Sequence, residues 1–168
     1  VNGNVLNVNA TGDFTQSGGS IIATTANLNA SQDIEQSGGS ISATTVNLTA
    51  GGAISQSAGS ITATNTTLIA GQNIVQTGGS ITVTNTVATA GADLSLASNS
   101  NKLQNVTVDA QNGSATIVSG NDEAGELNVQ TVGVVGNNLT ITNVAKGEKN
   151  EIKVNKNLKA KGDITITN

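Results

Sequence analysis

Cysteine, proline, methionine, tryptophan, tyrosine and histidine are all missing from this 168-residue chain, and Phe14 is its one aromatic residue. Arginine is absent too, so all seven basic residues are lysines. Without cysteine there is no disulfide framework and no thiolate site. A net charge of -4, with no basic patch interleaved with aromatics, gives no reason to expect a nucleic-acid partner. No apolar run approaches the length of a membrane span, so membrane insertion is not expected. Charge is also scarce, at 11% of residues, while β-branched residues are frequent; disordered chains show the opposite balance. The chain opens "VNGNVLNV", without Met or a signal peptide, and closes on "GDITITN", in the middle of what reads as a strand. Both ends suggest a piece cut from a longer protein.

What remains is Gly, Ala, Ser, Thr, Asn, Ile, Leu and Val, and they recur every twenty residues. Gln16, Gln36, Gln56 and Gln76 align, as do Gly19, Gly39, Gly59 and Gly79, and Ile21, Ile41, Ile61 and Ile81. Ile34, Ile54 and Ile74 form a further column with Phe14 and Leu94 at its ends, and Val8, Leu28, Leu48 and Leu68 another. Ala10 through Ala110 mark every coil. Within a unit the apolar spacing is two, the alternation of strands; Val46, Leu48 and Ala50 share one face. Three short strands per unit follow, roughly Ile34–Gln36, Ser40–Thr44 and Thr45–Ala50, with corners at the Gly-rich stretch and near Ala50–Gly52. Such a unit buries too few side chains to offset the entropy of ordering its backbone. It becomes stable only by stacking on its neighbours. The fold class expected is therefore all-β: a right-handed parallel β-helix of about 20 residues per coil, the hand following the crossover rule. Residues 1–110 form the regular part. Residues 111–168, where all the lysines but Lys102 lie, form an irregular continuation of the same helix.

Chemistry in this chain would fall to Asp, Glu, Lys, Ser and Thr. Paired carboxylates can hydrolyse a glycosidic bond when correctly spaced; the candidates are Asp33 with Glu35, and the cluster Asp122, Glu123 and Glu126. The plainer reading places Asp33 at a corner, Glu35 on a solvent face and "NDEAGE" in a solvated loop. No enzyme activity, catalytic residue, metal or cofactor is expected; "QSGGS" lacks the carboxylate that a calcium-binding repeat needs in every turn. The glutamine column has two readings. It points inward as a stacked amide ladder, or the strand has already turned outward there.

Outward, Thr24, Thr44, Thr64 and Thr84 form a column beside Ile22, Ser42, Thr62 and Thr82. A flat Thr-x-Thr array is what an ice-binding β-helix displays, but only the rungs Thr62/Thr64 and Thr82/Thr84 are complete, and threonine favours strands in any case. Asn-x-Ser/Thr sequons occur at Asn9, Asn29, Asn47, Asn65, Asn105, Asn112 and Asn138, barely more often than composition alone provides. They are candidate glycan acceptors only where a glycosylating machinery exists.

Units such as "TTVNLTAGGAISQSAGSITAT" and "NNLTITN" resemble the filamentous-haemagglutinin-type repeats of two-partner-secretion adhesins and contact-dependent inhibition exoproteins. The resemblance is strongest over about residues 3 to 110 and carries no active-site residues. It implies a β-helical shaft, exported through an outer-membrane transporter to the surface of a Gram-negative bacterium, with the receptor contacted by other parts of the parent protein. The expectation is a structural shaft segment. The alternative is a binding module, for ice through the threonine columns or for glycans through the Lys-rich end around Lys153, Lys156 and Lys159. Exposed coil edges also predict end-to-end self-association.

Overall fold

The computed structural model describes residues 2–120, 126–144 and 151–168. Among them it is all β. The strands are β1 (Asn2–Ala10), β2 (Phe14–Ala30), β3 (Ile34–Ala50), β4 (Ile54–Gln56), β5 (Ser60–Ala70), β6 (Ile74–Gln76) and β7 (Ser80–Ala90). They continue as β8 (Leu94–Leu96), β9 (Lys102–Ala110), β10 (Ala115–Ser119), β11 (Glu126–Val135), β12 (Leu139–Asn143), β13 (Glu151–Val154) and β14 (Ile164–Thr167). Every pairing between them is parallel and joins one coil to the next. The result is a β-solenoid of about seven turns.

Register explains why the repeat is so strict. Ile41 lies opposite Ile61, Leu48 opposite Leu68 and Ala50 opposite Ala70. Like residues stack at one strand spacing, about 4.8 Å, and the core is a set of vertical columns. Ile21, Ile41, Ile61 and Ile81 form one; Leu28, Leu48 and Leu68, then the smaller Ala88, then Val108, form another, all buried. A slip of one residue would turn each column out to water, so the alternation pins the register.

The three-strand reading of each coil meets a more continuous chain. β2 and β3 run for 17 residues straight through the Gly-rich corner. Their register slips there, with Ser17 opposite Gly38, and this bulge bends the chain without ending the pairing. From β4 onward the pairing lapses at that corner, giving a 3-residue strand followed by an 11-residue one. The second corner lies inside the long strand. Pairing passes from Ala63 to Asn65 and omits Thr64. Thr64 and Asn65 are both exposed, so the inward positions change from odd (Ile61) to even (Thr66, Leu68, Ala70).

The first corner needs glycine. Gly19, Gly39, Gly59 and Gly79 have φ of 70°, 72°, 79° and 71°, the left-handed region that side chains disfavour. Beyond β9 the solenoid continues with longer coils. Leu94 pairs with Ala115, Ala115 with Leu139 and Leu139 with Ile164, so the spacing grows from 20 residues to 21, 24 and 25. The first extra residue enters at a corner, where residues 111–114 replace the three that suffice at 71–73.

One core column carries a flaw. Ala26, Val46, Thr66, Thr86 and Val106 occupy equivalent buried places. The hydroxyls of Thr66 and Thr86 are buried and have no hydrogen-bond partner. Valine has the same shape without the unpaired oxygen. Thr66→Val is therefore expected to raise stability by about 1 kcal/mol, and thermal unfolding should shift upward by about 2–4 °C. A lower melting temperature for that variant contradicts the assignment.

Candidate functional site

The glutamine column faces inward. Gln36 Nε2 donates to Gln16 Oε1 at 3.0 Å, Gln56 to Gln36 at 2.8 Å and Gln76 to Gln56 at 2.8 Å. A second donation from each amide reaches a corner carbonyl: Gln16 to Ser40 O, Gln36 to Ser60 O and Gln56 to Ser80 O. The side chain thus ties three coils at the Gly-rich corner. Leu96 takes the next place in the column, so the ladder gains no further rung, and Ser98 N donates to Gln76 Oε1 at 3.3 Å. Asn101, fully buried, closes it. It exchanges hydrogen bonds with Gln76, accepting from Nε2 at 2.8 Å and donating to Oε1 at 2.7 Å, and its Oδ1 also accepts from Ile81 N at 2.9 Å. Asn101 stands one coil beyond Ile81, where an isoleucine would be regular. Polar and apolar residues have exchanged places in this coil, Leu96 for Gln and Asn101 for Ile.

Polar side chains on the outside behave in the same way. Asn27 donates to Asn7 at 2.7 Å and Asn47 to Asn27 at 2.8 Å. Asn29 donates to Asn9 at 3.0 Å, while Asn85, Asn105 and Gln130 extend a third row from Asn65. At the corner that follows the long strand in most coils, an oxygen of Asp13, Asp33, Asn73, Asp93, Ser114 or Asn138 accepts from a backbone N–H one coil later, at Asp33, Ala53, Asp93, Ser114, Asn138 and Asp163, with Ala53 interrupting the row. In all these rows the later coil donates and the earlier coil accepts.

These rows locate the candidate residues. The sequon residues Asn29, Asn47 and Asn105 have their Nδ2 donating within a row, and Asn112 Nδ2 donates to Gly91 O at 2.8 Å. Asn9, Asn65 and Asn138 enter through Oδ1. A glycan on Asn105 would displace a bond, because its Nδ2 donates to both Asn85 Oδ1 and Thr84 O. Of the acidic pairs, Asp33 is held by Ala53 N at 2.7 Å, an architectural use, while Glu35 is exposed on the neighbouring strand. Asp122 and Glu123 lie outside the described residues. Glu126 pairs with Lys153 at 2.8 Å, and Lys153 also approaches Glu151 at 3.5 Å. The hydrogen bond from Lys153 lowers the Glu126 carboxyl below its ordinary pKa, and the same bond raises the Lys153 ammonium. The pair thus favours the fold at pH values between the two titrations. Its contribution fades as pH falls through the Glu126 pKa and again as pH rises through that of Lys153. Following the Glu126 side-chain carbonyl by NMR should give a midpoint below the usual carboxylate range, returning to it in Lys153→Gln. Lys156, Lys159 and Lys161 are exposed, the last two beside a shallow depression with Gly133, Val135 and Ala160.

The threonine columns divide. Thr62 pairs with Thr82, whose next rung is Lys102. Thr24, Thr44, Thr64 and Thr84 stand at the second corner, where the pairing is interrupted. More regular threonine rungs lie on another face. Thr140 and Thr142 pair directly with Thr165 and Thr167, and Thr116 with Val118 lies beneath them. The twenty-residue period does not reach these residues, but the shared segment "LTITN" and "ITITN" was a usable signal.

Among the described residues no three or more His, Cys, Asp or Glu converge to hold a metal ion. Compared with known proteins, the chain matches no family model, no curated protein and no solved structure.

Proposed function

We propose that this chain is a shaft segment: a stiff spacer within a large secreted adhesin, carrying a distal adhesive or effector region away from a Gram-negative cell. The observation that supports this reading most directly is the use of polar side chains. Amides and carboxylates in the core, at the corners and on the surface bond along the solenoid axis, coil to coil, rather than converging on a concave site. A solenoid whose repeats contact only their neighbours can be lengthened coil by coil without redesign. Length is then the property being built, and about seven coils at about 4.8 Å each span roughly 34 Å. The sequence resemblance to filamentous-haemagglutinin-type repeats supports the same reading, as does a composition with little to oxidise or cross-link during export. Receptor contact belongs to other parts of the parent, and an outer-membrane transporter is the export partner.

The experiment is surface labelling. Antibodies raised against the chain should label intact source cells, with gold particles standing off the outer membrane. Labelling only after permeabilisation overturns the proposal.

A second reading, surface binding to ice, draws on the rungs Thr140/Thr142 and Thr165/Thr167. It predicts inhibition of ice recrystallisation that Thr142→Tyr abolishes; no inhibition by the unaltered chain removes it. Self-association is expected under either reading. Ile164 and Ile166 are 44% and 46% exposed, although Leu139 and Ile141 beneath them are buried. Sedimentation of the isolated chain should show larger species as concentration rises. A monomer at every concentration contradicts this.

A further inference from the structure

Two Asn-Gly pairs occur in the chain, Asn2–Gly3 and Asn112–Gly113. A glycine leaves its own backbone nitrogen unhindered, which opens a reaction path for the preceding side chain. The nitrogen of glycine attacks the asparagine Cγ; an N–Cγ bond forms, the Cγ–Nδ2 bond breaks, and ammonia departs with the proton lost by the attacking nitrogen. Water then opens the cyclic imide at either carbonyl, leaving aspartate or isoaspartate. No oxidant or cofactor takes part.

The two pairs differ in packing. Gly3, in the terminal strand β1 opposite Ala23, has open space where a side chain would project. Gly113 lies in the corner that takes the extra residue, and it is enclosed. A Cβ there would strike the Asp93 carboxylate and lie 2.5 Å from Ala92 C and 2.6 Å from Asp93 N. Packing therefore demands glycine at 113. From the coil above, Gly136 presses on Asn112, its missing Cβ falling 2.7 Å and 2.8 Å from Asn112 C and Cα. Both reacting groups are also engaged. Asn112 Nδ2 donates to Gly91 O at 2.8 Å, and Gly113 N donates to Ala110 O at 3.4 Å.

We propose that Asn112 is a deamidation site latched by the stacked coils, so that its conversion proceeds only when the 111–114 corner opens. To bring Cγ onto Gly113 N, the Asn112 side chain must leave Gly91 O and its backbone must turn against Gly136. Opening of one corner is a local event whose population lies well below that of the closed state. Conversion then matters structurally. Aspartate at 112 cannot donate to Gly91 O, and isoaspartate adds a methylene to the backbone where Gly136 leaves no room.

Peptide mass mapping of the intact chain tests this, with aged samples in mildly alkaline buffer, with and without denaturing urea, and isoaspartate resolved chromatographically. In urea, Asn2 and Asn112 should convert at similar rates. In native buffer Asn112 should slow by about tenfold or more relative to urea. Equal Asn112 rates with and without urea overturn the latch. Absence of conversion at Asn112 in urea overturns the site itself.

Discussion

Gly39→Ala should cost about 3–4 kcal/mol of stability, from two separable causes. A side chain at φ 72° costs about 1–2 kcal/mol by itself. Its Cβ would also lie 2.5 Å from Gly19 O and 2.6 Å from Gly18 O in the coil below, so two coils must part. Neighbouring glycines separate the causes. Gly19 has the same conformation, φ 70°, but open space around its missing Cβ, so Gly19→Ala should cost only the conformational part, about 1–2 kcal/mol. Gly18 has neither a positive φ nor a close neighbour, and Gly18→Ala should stay within about 0.5 kcal/mol of the parent. Urea denaturation of the three variants gives the series directly. Equal losses at 18, 19 and 39 would mean that the corner does not stack as described.

The second large effect is at Asn101. Asn101→Ile restores the residue type of the Ile81 column but strips partners from the Gln76 amide and from Ile81 N. Ser98 N still reaches the Gln76 carbonyl oxygen at 3.3 Å, so the groups left without a partner are one Gln76 amide hydrogen and Ile81 N, and the cost should be about 2–4 kcal/mol. Adding Leu96→Gln extends the amide ladder by one rung, giving the Gln76 carbonyl oxygen a second donor again beside Ser98 N. The double variant should therefore be more stable than Asn101→Ile alone, with a coupling of at least about 1 kcal/mol. Additive losses across the cycle would show that the two exchanged residues do not compensate each other.

This pair of positions also marks where reading the sequence succeeds and stops. Columns such as Ile21 to Ile81, Gln16 to Gln76 and Gly19 to Gly79 are legible because parallel stacking puts identical residues on identical neighbours, and the same solution recurs in each coil. The solenoid follows from them. Asn101 is opaque because it acts off its own column, closing a ladder that belongs to residues 16–76. The corner row from Asp13 to Asn138 is hidden for another reason. Asp, Asn and Ser share only an accepting oxygen, and the added residues after Ala110 shift the row out of period. The inward direction of glutamine was undecided because alternation is lost at a bulge, whereas the change of phase at Thr64 and Asn65 is legible one coil earlier as the boundary between Ser40–Thr44 and Thr45–Ala50. The rungs Thr140/Thr142 and Thr165/Thr167 escaped a search tied to a spacing of twenty, since they stand 25 residues apart.

The common direction of the side-chain rows makes a half-built stack a polar object. On its outer rows and corners the most recent coil presents waiting oxygens, and the incoming segment brings the N–H groups that fit them, while in the core a glutamine amide waits for the incoming corner carbonyl. Extension at that growth front meets prepared acceptors, whereas a segment arriving at the opposite end must supply them. A chain fed out with its earlier residues leading would present these acceptors to each following segment in turn.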